Sequence, residues 1–183
     1  MPFSDNLELI SFYETARAKG FLNNISSHAI HGCFSGEKKF QTWILYYNDQ
    51  AVGSVAAHSF DEMGENAYRI CARTCVFTDQ IGTNTLRTRN QIITHQHVTA
   101  QFFIPTCIEW AGRNNDLYIT SNNLSHGSQK LVHKIYFPAM EASGQVRLIG
   151  EKMYRGTVQS IWKLNVDRFY QELDNHGRWI LQK

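Results

Sequence analysis

The residues with chemistry to offer fall into a few groups. Arg69 and Arg73 stand four apart in YRICARTCVF, a segment whose alternation reads as a strand with apolar residues on both faces. That alternation sets Tyr68, Ile70, Ala72, Thr74 and Val76 on one face and Arg69, Cys71, Arg73, Cys75 and Phe77 on the other. Two guanidinium groups on one face of a central strand are unusual. Either they snorkel or pair with carboxylates at the sheet margin, or one of them stands beside an anionic ligand. His28 with His31 and Cys33, and His95 with His97, are ligand types for a metal. Positions two apart on a helix face different ways, which separates His95 from His97. Cys71 and Cys75 share a strand face but lie about 13 Å apart at about 3.3 Å per residue, so no metal site is expected. Asp61, Glu62, Glu65, Glu109 and Glu151 have no spacing that marks a general base, and a solvated surface is their default setting.

The chain that must position these groups has 183 residues, a length suited to one domain burying about 70% of the surface its unfolded form would expose. Hydrophobic residues make up 43%, charged residues 19% and aromatic residues 13%, the profile of a folded rather than a disordered chain. No apolar run reaches about 18 residues, and MPFSDNLELI has neither a basic region nor a hydrophobic centre. No membrane span or signal peptide is expected, and the expected location is cytoplasmic. A net charge of +2 leaves the partner open, because nucleic-acid-binding domains usually carry a marked basic excess on one face. Cys33, Cys71, Cys75 and Cys107 are expected to be reduced, buried thiols.

Along the chain, Leu9, Phe12, Tyr13 and Ala16 fall at helical spacing, with Ser4 or Asp5 as cap and Gly20 as terminator. Residues 21–39 read as a loop with room for a short second helix. QTWILYY and AVGSVAAHSF are two strands joined at Asn48 and Asp49, and a third strand runs from Ala67 to Phe77. A polar loop with Arg87 and Arg89 follows. Thr94 to Ala111 reads as a helix with Val98 and Phe102 in register, kinked or restarted at Pro105. DLYITSN is a short strand. Leu131, Val132, Ile135, Tyr136, Ala139 and Met140 form a helical stripe bent at Pro138. VRLIGEKMY and VQSIWKLN make a closing hairpin about Arg155 and Gly156, and residues 166–183 form a capping helix or partner-binding arm.

The order helix, β, β, β, helix, β, helix, β, β resembles the GNAT superfamily of acyl-CoA-dependent N-acyltransferases. WILYYNDQAVGSVAAHSF is similar to its second and third strands, YRICARTCVF to its fourth, DLYITSNN to its fifth, and RLIGEKMYRGTVQSIWKLN to its last hairpin, together about residues 40–165. The resemblance implies one GNAT-like domain over residues 1–183, an α/β fold with a mixed, mostly antiparallel central sheet flanked by helices. It also implies an acyltransferase moving an acyl group, acetyl first among the candidates, from acetyl-CoA or another acyl-CoA to an amine. In that family the fourth and fifth strands splay apart and leave backbone N–H groups for the pantetheine arm and the thioester carbonyl. Cys75, Val76 and Phe77 then run along the cofactor, with Asn122 and Asn123 at the end of the opposing strand. A donor placed where charge develops lowers the barrier by a few kcal/mol.

Two features depart from the family pattern. In place of the short (Q/R)-x-x-G-x-(G/A) turn that holds the CoA pyrophosphate stands TDQIGTNTLRTRNQIITHQ. Its Gln80, Gly82, Thr83, Arg87 and Arg89 still offer amides, a hydroxyl and two cations for an anion at a helix mouth. No first strand precedes the opening helix. The family's acid for the departing thiolate is often a Tyr on the helix after the fifth strand, which points to Tyr136 or to His133 one turn earlier; ordinary packing of Tyr136 in its stripe and a solvent-facing His133 are the alternatives. The acceptor is a small-molecule or macromolecular amine, and the oligomeric state is open. The competing readings are a GNAT-shaped binding protein without activity, and an enzyme that modifies nucleic acid through the basic loop.

Overall fold

The computed structural model describes residues 7–21, 39–77, 80–81, 96–122, 132–154 and 156–180. Helix α1 (Leu7–Ala18) buries Leu9, Phe12, Tyr13 and Ala16, the residues that a 3.6-residue period sets on one face. Its end is closed by the Phe21 N–H donating to the Ala16 carbonyl at 2.8 Å and the Gly20 N–H donating to the Arg17 carbonyl at 2.9 Å. Gly20, at φ +83°, takes the left-handed step this closure requires.

Strands β1 (Phe40–Tyr47) and β2 (Gln50–Ser59) pair antiparallel. Asn48 and Asp49 between them have φ of +49° and +60°, successive left-handed residues that a two-residue hairpin turn demands and that Asn and Asp tolerate. There follow β3 (Ala67–Val76), α2 (Ile104–Ala111), β4 (Asp116–Asn122), α3 (Phe137–Ala142), β5 (Val146–Tyr154), β6 (Thr157–Leu164) and α4 (Val166–Ile180). They build one 6-stranded sheet in the order β1-β2-β3-β4-β6-β5. Every neighbouring pair is antiparallel except β3 with β4. This is the mixed, mostly antiparallel sheet with flanking helices that the order of elements predicts.

Helices α2 and α3 each follow a π-helical turn, Thr99–Phe103 and Val132–Tyr136. Each turn ends just before an X-Pro pair, Ile104–Pro105 and Phe137–Pro138. A proline has no N–H and crowds the carbonyl four residues back. The widened turn relieves that conflict at the first site by carrying the Ile104 N–H to the Thr99 carbonyl. The extra residue also rotates the helix face. Phe102 and Ile135, expected on the apolar stripes, are 52% and 56% exposed, while Phe103, the next residue, and Phe137, two residues on, are 3% and 4% exposed. The buried position thus lies one residue on from the expected stripe at the first site and two residues on at the second.

The main core lies between one face of the sheet and α2, α3 and α4. Val55, Ile70, Val76, Leu117, Ile119, Trp162 and Leu164 meet Ile104, Cys107, Ile108, Phe137, Met140 and Phe169 there. Phe137 stacks on Trp162 with ring centroids 5.1 Å apart. The tail segment is a helix that caps this core through Phe169, with Val166, Tyr170 and Leu173 packed against it. On the other face α1 covers Cys75 and Phe77, with Phe12 stacked on Phe77 at 5.0 Å. Among the described residues no helix is long and apolar enough to cross a membrane.

Candidate functional site: the split between strands 3 and 4

The parallel pair β3–β4 is joined only at Ala67↔Asp116, Tyr68↔Leu117 and Arg69↔Tyr118. Beyond those positions β3 continues against β2 as far as Val76, and β4 continues against β6 as far as Asn122. Among the described residues no strand pairing joins 70–76 to 119–122, so the inner edges of the two strands face each other across a split. Its local cause is β3 itself. The β2–β3 register slips twice, between Ser54 and Ala56 and between Ala56 and His58. Two bulges of this kind each add a residue, bend the strand and raise its twist. Cys71 and Arg73 carry the strain, at φ +55° and +50°, a left-handed backbone that costs a non-glycine residue about 1–2 kcal/mol.

The bulges redistribute the side chains. Strict alternation predicts Arg69, Cys71, Arg73, Cys75 and Phe77 on one face. Instead Arg69, Ala72 and Cys75 stand opposite His58, Ala56 and Ser54. Cys75 packs under α1, whereas Cys71 packs into the α2–α4 core. There Cys71 contacts the Cys107 thiol, and that hydrogen bond, with burial, pushes the Cys71 thiol well above its usual range, with Arg69 opposing. Burial pushes the Cys75 thiol up to about 12. Both thiols are protonated near neutrality, and Cys71, Cys75 and Cys107 are free cysteines.

Main-chain direction separates the three residues expected along a cofactor. The Phe77 N–H donates to the Val52 carbonyl at 2.7 Å, and Cys75 stands opposite Ser54 in the same register. Main-chain groups alternate sides along a strand, so the Val76 N–H between them is directed away from β2, toward the split. On the opposite wall Asn122 ends β4, in register with Gln159. Asn123, Gly82, Thr83, Arg87 and Arg89 lie outside the described residues, as do the His28, His31 and Cys33 group and His95.

A polar network closes the joined end of the split. Arg69 Nε donates to Thr120 Oγ1 at 2.8 Å, crossing from β3 to β4, and its NH1 stands 3.5 Å from His58 Nε2. His58 is fully buried. Its Nδ1 lies 2.7 Å from the Ser59 carbonyl oxygen, which only accepts, so the proton is on Nδ1 and Nε2 is the nitrogen facing the guanidinium. Further along β3, the Arg73 guanidinium lies 5.8 Å from the Tyr13 ring centroid, and Ser54 Oγ donates to the Arg73 carbonyl at 3.3 Å. Burial raises the Tyr13 phenol above its ordinary pKa, opposed by Arg73 and by the nearby Ser54 and Thr42 hydroxyls. Yet neither Tyr13 Oη nor Thr42 Oγ1, both buried, has a hydrogen-bond partner in good geometry. A buried hydroxyl left this way costs about 1–3 kcal/mol.

Tyr136 closes the π turn after β4 and stands edge-on to Phe137 at 5.8 Å. Burial foremost, and then the Cys71 thiol of β3, raises its phenol well above the usual range. A residue that follows β4 is therefore brought next to the first bulge of β3. His133 belongs to the same π turn, but its side chain lies outside the description. His97 is half-buried with its pKa lowered by burial. Among the described residues no group of three or more His, Cys, Asp and Glu is placed to hold a metal ion. Sequence reasoning missed His58, Thr42, Ser54 and Thr120, and read Tyr13 only as an apolar-stripe residue. The available signal was the run of polar side chains, His58 and Arg69, inside otherwise apolar strands.

No protein-family model matches the chain, and no curated protein matches it. Among solved structures the chain is similar to Escherichia coli ElaA, with a TM-score of 0.43 and 11% identity over 90% of this chain and 96% of that one. It is also similar to FeeM, an N-acyl amino acid synthase from uncultured soil microbes, with a TM-score of 0.47 and 11% identity over 88% of this chain and 89% of that one. At that identity and those TM-scores the likeness is one of outline, and the fold rests on strand order and pairing. A 6-stranded, mostly antiparallel sheet with one parallel pair that parts partway along and helices on both faces gives this chain a mixed α/β fold.

Proposed function

We propose that the chain transfers an acyl group from acyl-CoA to an amine, with the thioester bound in the split between β3 and β4. The observation that carries this reading is the halt of β3–β4 pairing at Arg69↔Tyr118 beside two bulges, which turns the Val76 main chain toward the gap. The thioester supplies an electrophilic carbonyl and a thiolate leaving group. The Val76 N–H is the donor for the carbonyl oxygen, flanked by Cys75 and Phe77, whose main chains hold β3 to β2. Asn122 ends the opposite wall, and this reading assigns Asn123 to the same wall and Gly82, Thr83, Arg87 and Arg89 to the pyrophosphate.

The amine nitrogen forms the new C–N bond as the C–S bond breaks, and sulfur keeps the electron pair. Tyr136 gives the departing sulfur its proton and recovers one from solvent, while the amine loses its surplus proton to water. Burial raises the Tyr136 pKa, so the phenol is protonated at neutral pH and present as a donor, while the same shift makes it a weaker acid than an ordinary phenol. His133 is the alternative donor.

Calorimetric titration with acetyl-CoA and with free CoA tests the site, followed by a CoA-release assay over an amine panel. Micromolar binding is expected. Tyr136→Phe is expected to keep acetyl-CoA affinity within about twofold and to lower kcat by roughly 100-fold. Unchanged kcat would reassign the acid to His133. A folded protein that binds neither ligand and acylates nothing would leave the binding-protein reading.

A further inference from the structure

The register of the strands measures the depth of the split. From the joined pair Arg69↔Tyr118, β2 advances four residues, from His58 to Ser54, while β3 spends six to reach Cys75. Cys75 therefore stands level with Asn122, four residues past Tyr118 on β4, and the Val76 N–H lies at the mouth of the split. The residues assigned to the pyrophosphate follow β3, so a thioester held at Val76 points its acyl group inward, toward the apex. The way inward is short. Arg69 Nε reaches across the gap to Thr120 Oγ1 at 2.8 Å, two residues inside Asn122, and its NH1 stands 3.5 Å from Nε2 of the fully buried His58. The guanidinium is thus braced from β2 on one side and from β4 on the other. On the opposite face of the sheet Ile70 and Ile119, 0% and 4% exposed, pack into the α2–α4 core and close the gap at the same level.

We propose that Arg69, tied to Thr120, is the stop that sets the length of the acyl group, and that the donor is a short-chain acyl-CoA. This rests on the acyl-transfer reading above. Two residues of strand separate Asn122 from Thr120, about 7 Å at about 3.3 Å per residue. Van der Waals contact with the guanidinium takes about 3.5 Å of that length. The remainder admits about two to three C–C bonds of about 1.5 Å beyond the carbonyl carbon, an acyl group of about three to four carbons. A longer chain has to push the guanidinium aside and break its bond to Thr120, which leaves a charged donor unpaired at a half-buried position. Arg69 takes no part in the bond changes; it selects the donor by exclusion, and His58 holds it in place.

Calorimetric titration of the whole protein with acetyl-, butyryl-, hexanoyl- and octanoyl-CoA, with free CoA as reference, tests the stop without an acceptor amine. The wild type is expected to bind octanoyl-CoA at least roughly 30-fold more weakly than butyryl-CoA, the scale of a few methylenes without room. Arg69→Ala, checked for folding by thermal melting, is expected to bring octanoyl-CoA within about threefold of butyryl-CoA. Thr120→Ala removes the anchor and a methyl group, and is expected to bind hexanoyl-CoA roughly 10-fold more tightly than the wild type does; it supplies the comparison where Arg69→Ala fails to fold. Equal affinity of the wild type for octanoyl-CoA and butyryl-CoA would overturn the proposal while leaving acyl transfer intact. So would a folded variant that keeps the chain-length profile of the wild type. A folded wild type that binds none of the four acyl-CoA esters and no free CoA would overturn the acyl-transfer reading, and this proposal with it.

Discussion

Thr120→Val removes the hydroxyl that accepts the 2.8 Å bond from Arg69 Nε and keeps the β-branched shape. It therefore isolates the tie across the apex of the split. A hydrogen bond to a charged group contributes about 1.5–3 kcal/mol, and an abandoned buried donor costs on the same scale. Arg69 is half-buried, so water recovers part of the lost contact, which sets the expectation near the lower bound, about 1.5 kcal/mol. That is roughly a 10-fold shift in the folded-to-unfolded ratio. Thr120→Ser keeps the acceptor and is expected to lose less than about 0.7 kcal/mol, through packing alone. Urea denaturation of the wild type and both variants, at equal slope, measures the difference. If Val and Ser prove equally stable, or if both lie within about 0.3 kcal/mol of wild type, the bond does not hold β3 to β4, and the account of the apex fails.

Two further perturbations probe the framework around the split. Burial raises the Cys75 thiol from 9.0 to about 12, so the unfolded chain releases this proton first as pH rises. The stabilisation is complete below about pH 9 and is lost between about pH 9 and 12. Between about pH 8 and pH 10 the linkage amounts to about 1.4 kcal/mol. Cys75→Ala should show a smaller drop in stability over that interval than wild type, and an equal drop in both would dismiss the thiol as its source. Gly53 has no room for a side chain, since a Cβ would meet the Cys75 carbonyl oxygen at 3.0 Å and Phe103 Cζ at 3.2 Å. Gly53→Ala is expected to destabilise by about 1–3 kcal/mol, and a neutral effect on the urea midpoint would contradict the close packing of β2 on β3.

Particular residues show how far sequence alone reaches. Leu9, Phe12, Tyr13 and Ala16 lie three or four apart, and α1 buries them. Asn48 and Asp49 between two apolar runs specify the hairpin, as their positive φ values confirm. Such features are set by neighbours in the chain, through helical period and turn sterics, and are legible without a fold. The π turns before Pro105 and Pro138 were only half legible. A proline announces a conflict, but whether the chain breaks, kinks or widens depends on what the next turn must bury, and here Phe103 and Phe137 decide it.

The site itself was read unevenly for the same kind of reason. The position of Tyr136 after β4 and the meeting of β3 with β4 follow from the order of elements, while the contact of Cys71 with Cys107 and the reach of Arg69 to Thr120 do not. Alternation in YRICARTCVF placed Cys71 and Cys75 together; two bulges sent them to opposite faces. A bulge is a mismatch of residue count between two strands, so it belongs to the pair β2–β3 and to neither sequence segment alone. The sequence by itself determined the elements, their order and their apolar faces. Tertiary structure alone decided where β3 leaves β4, which main-chain N–H turns into the gap, and which side chains gather there, because each depends on register between strands far apart in the chain.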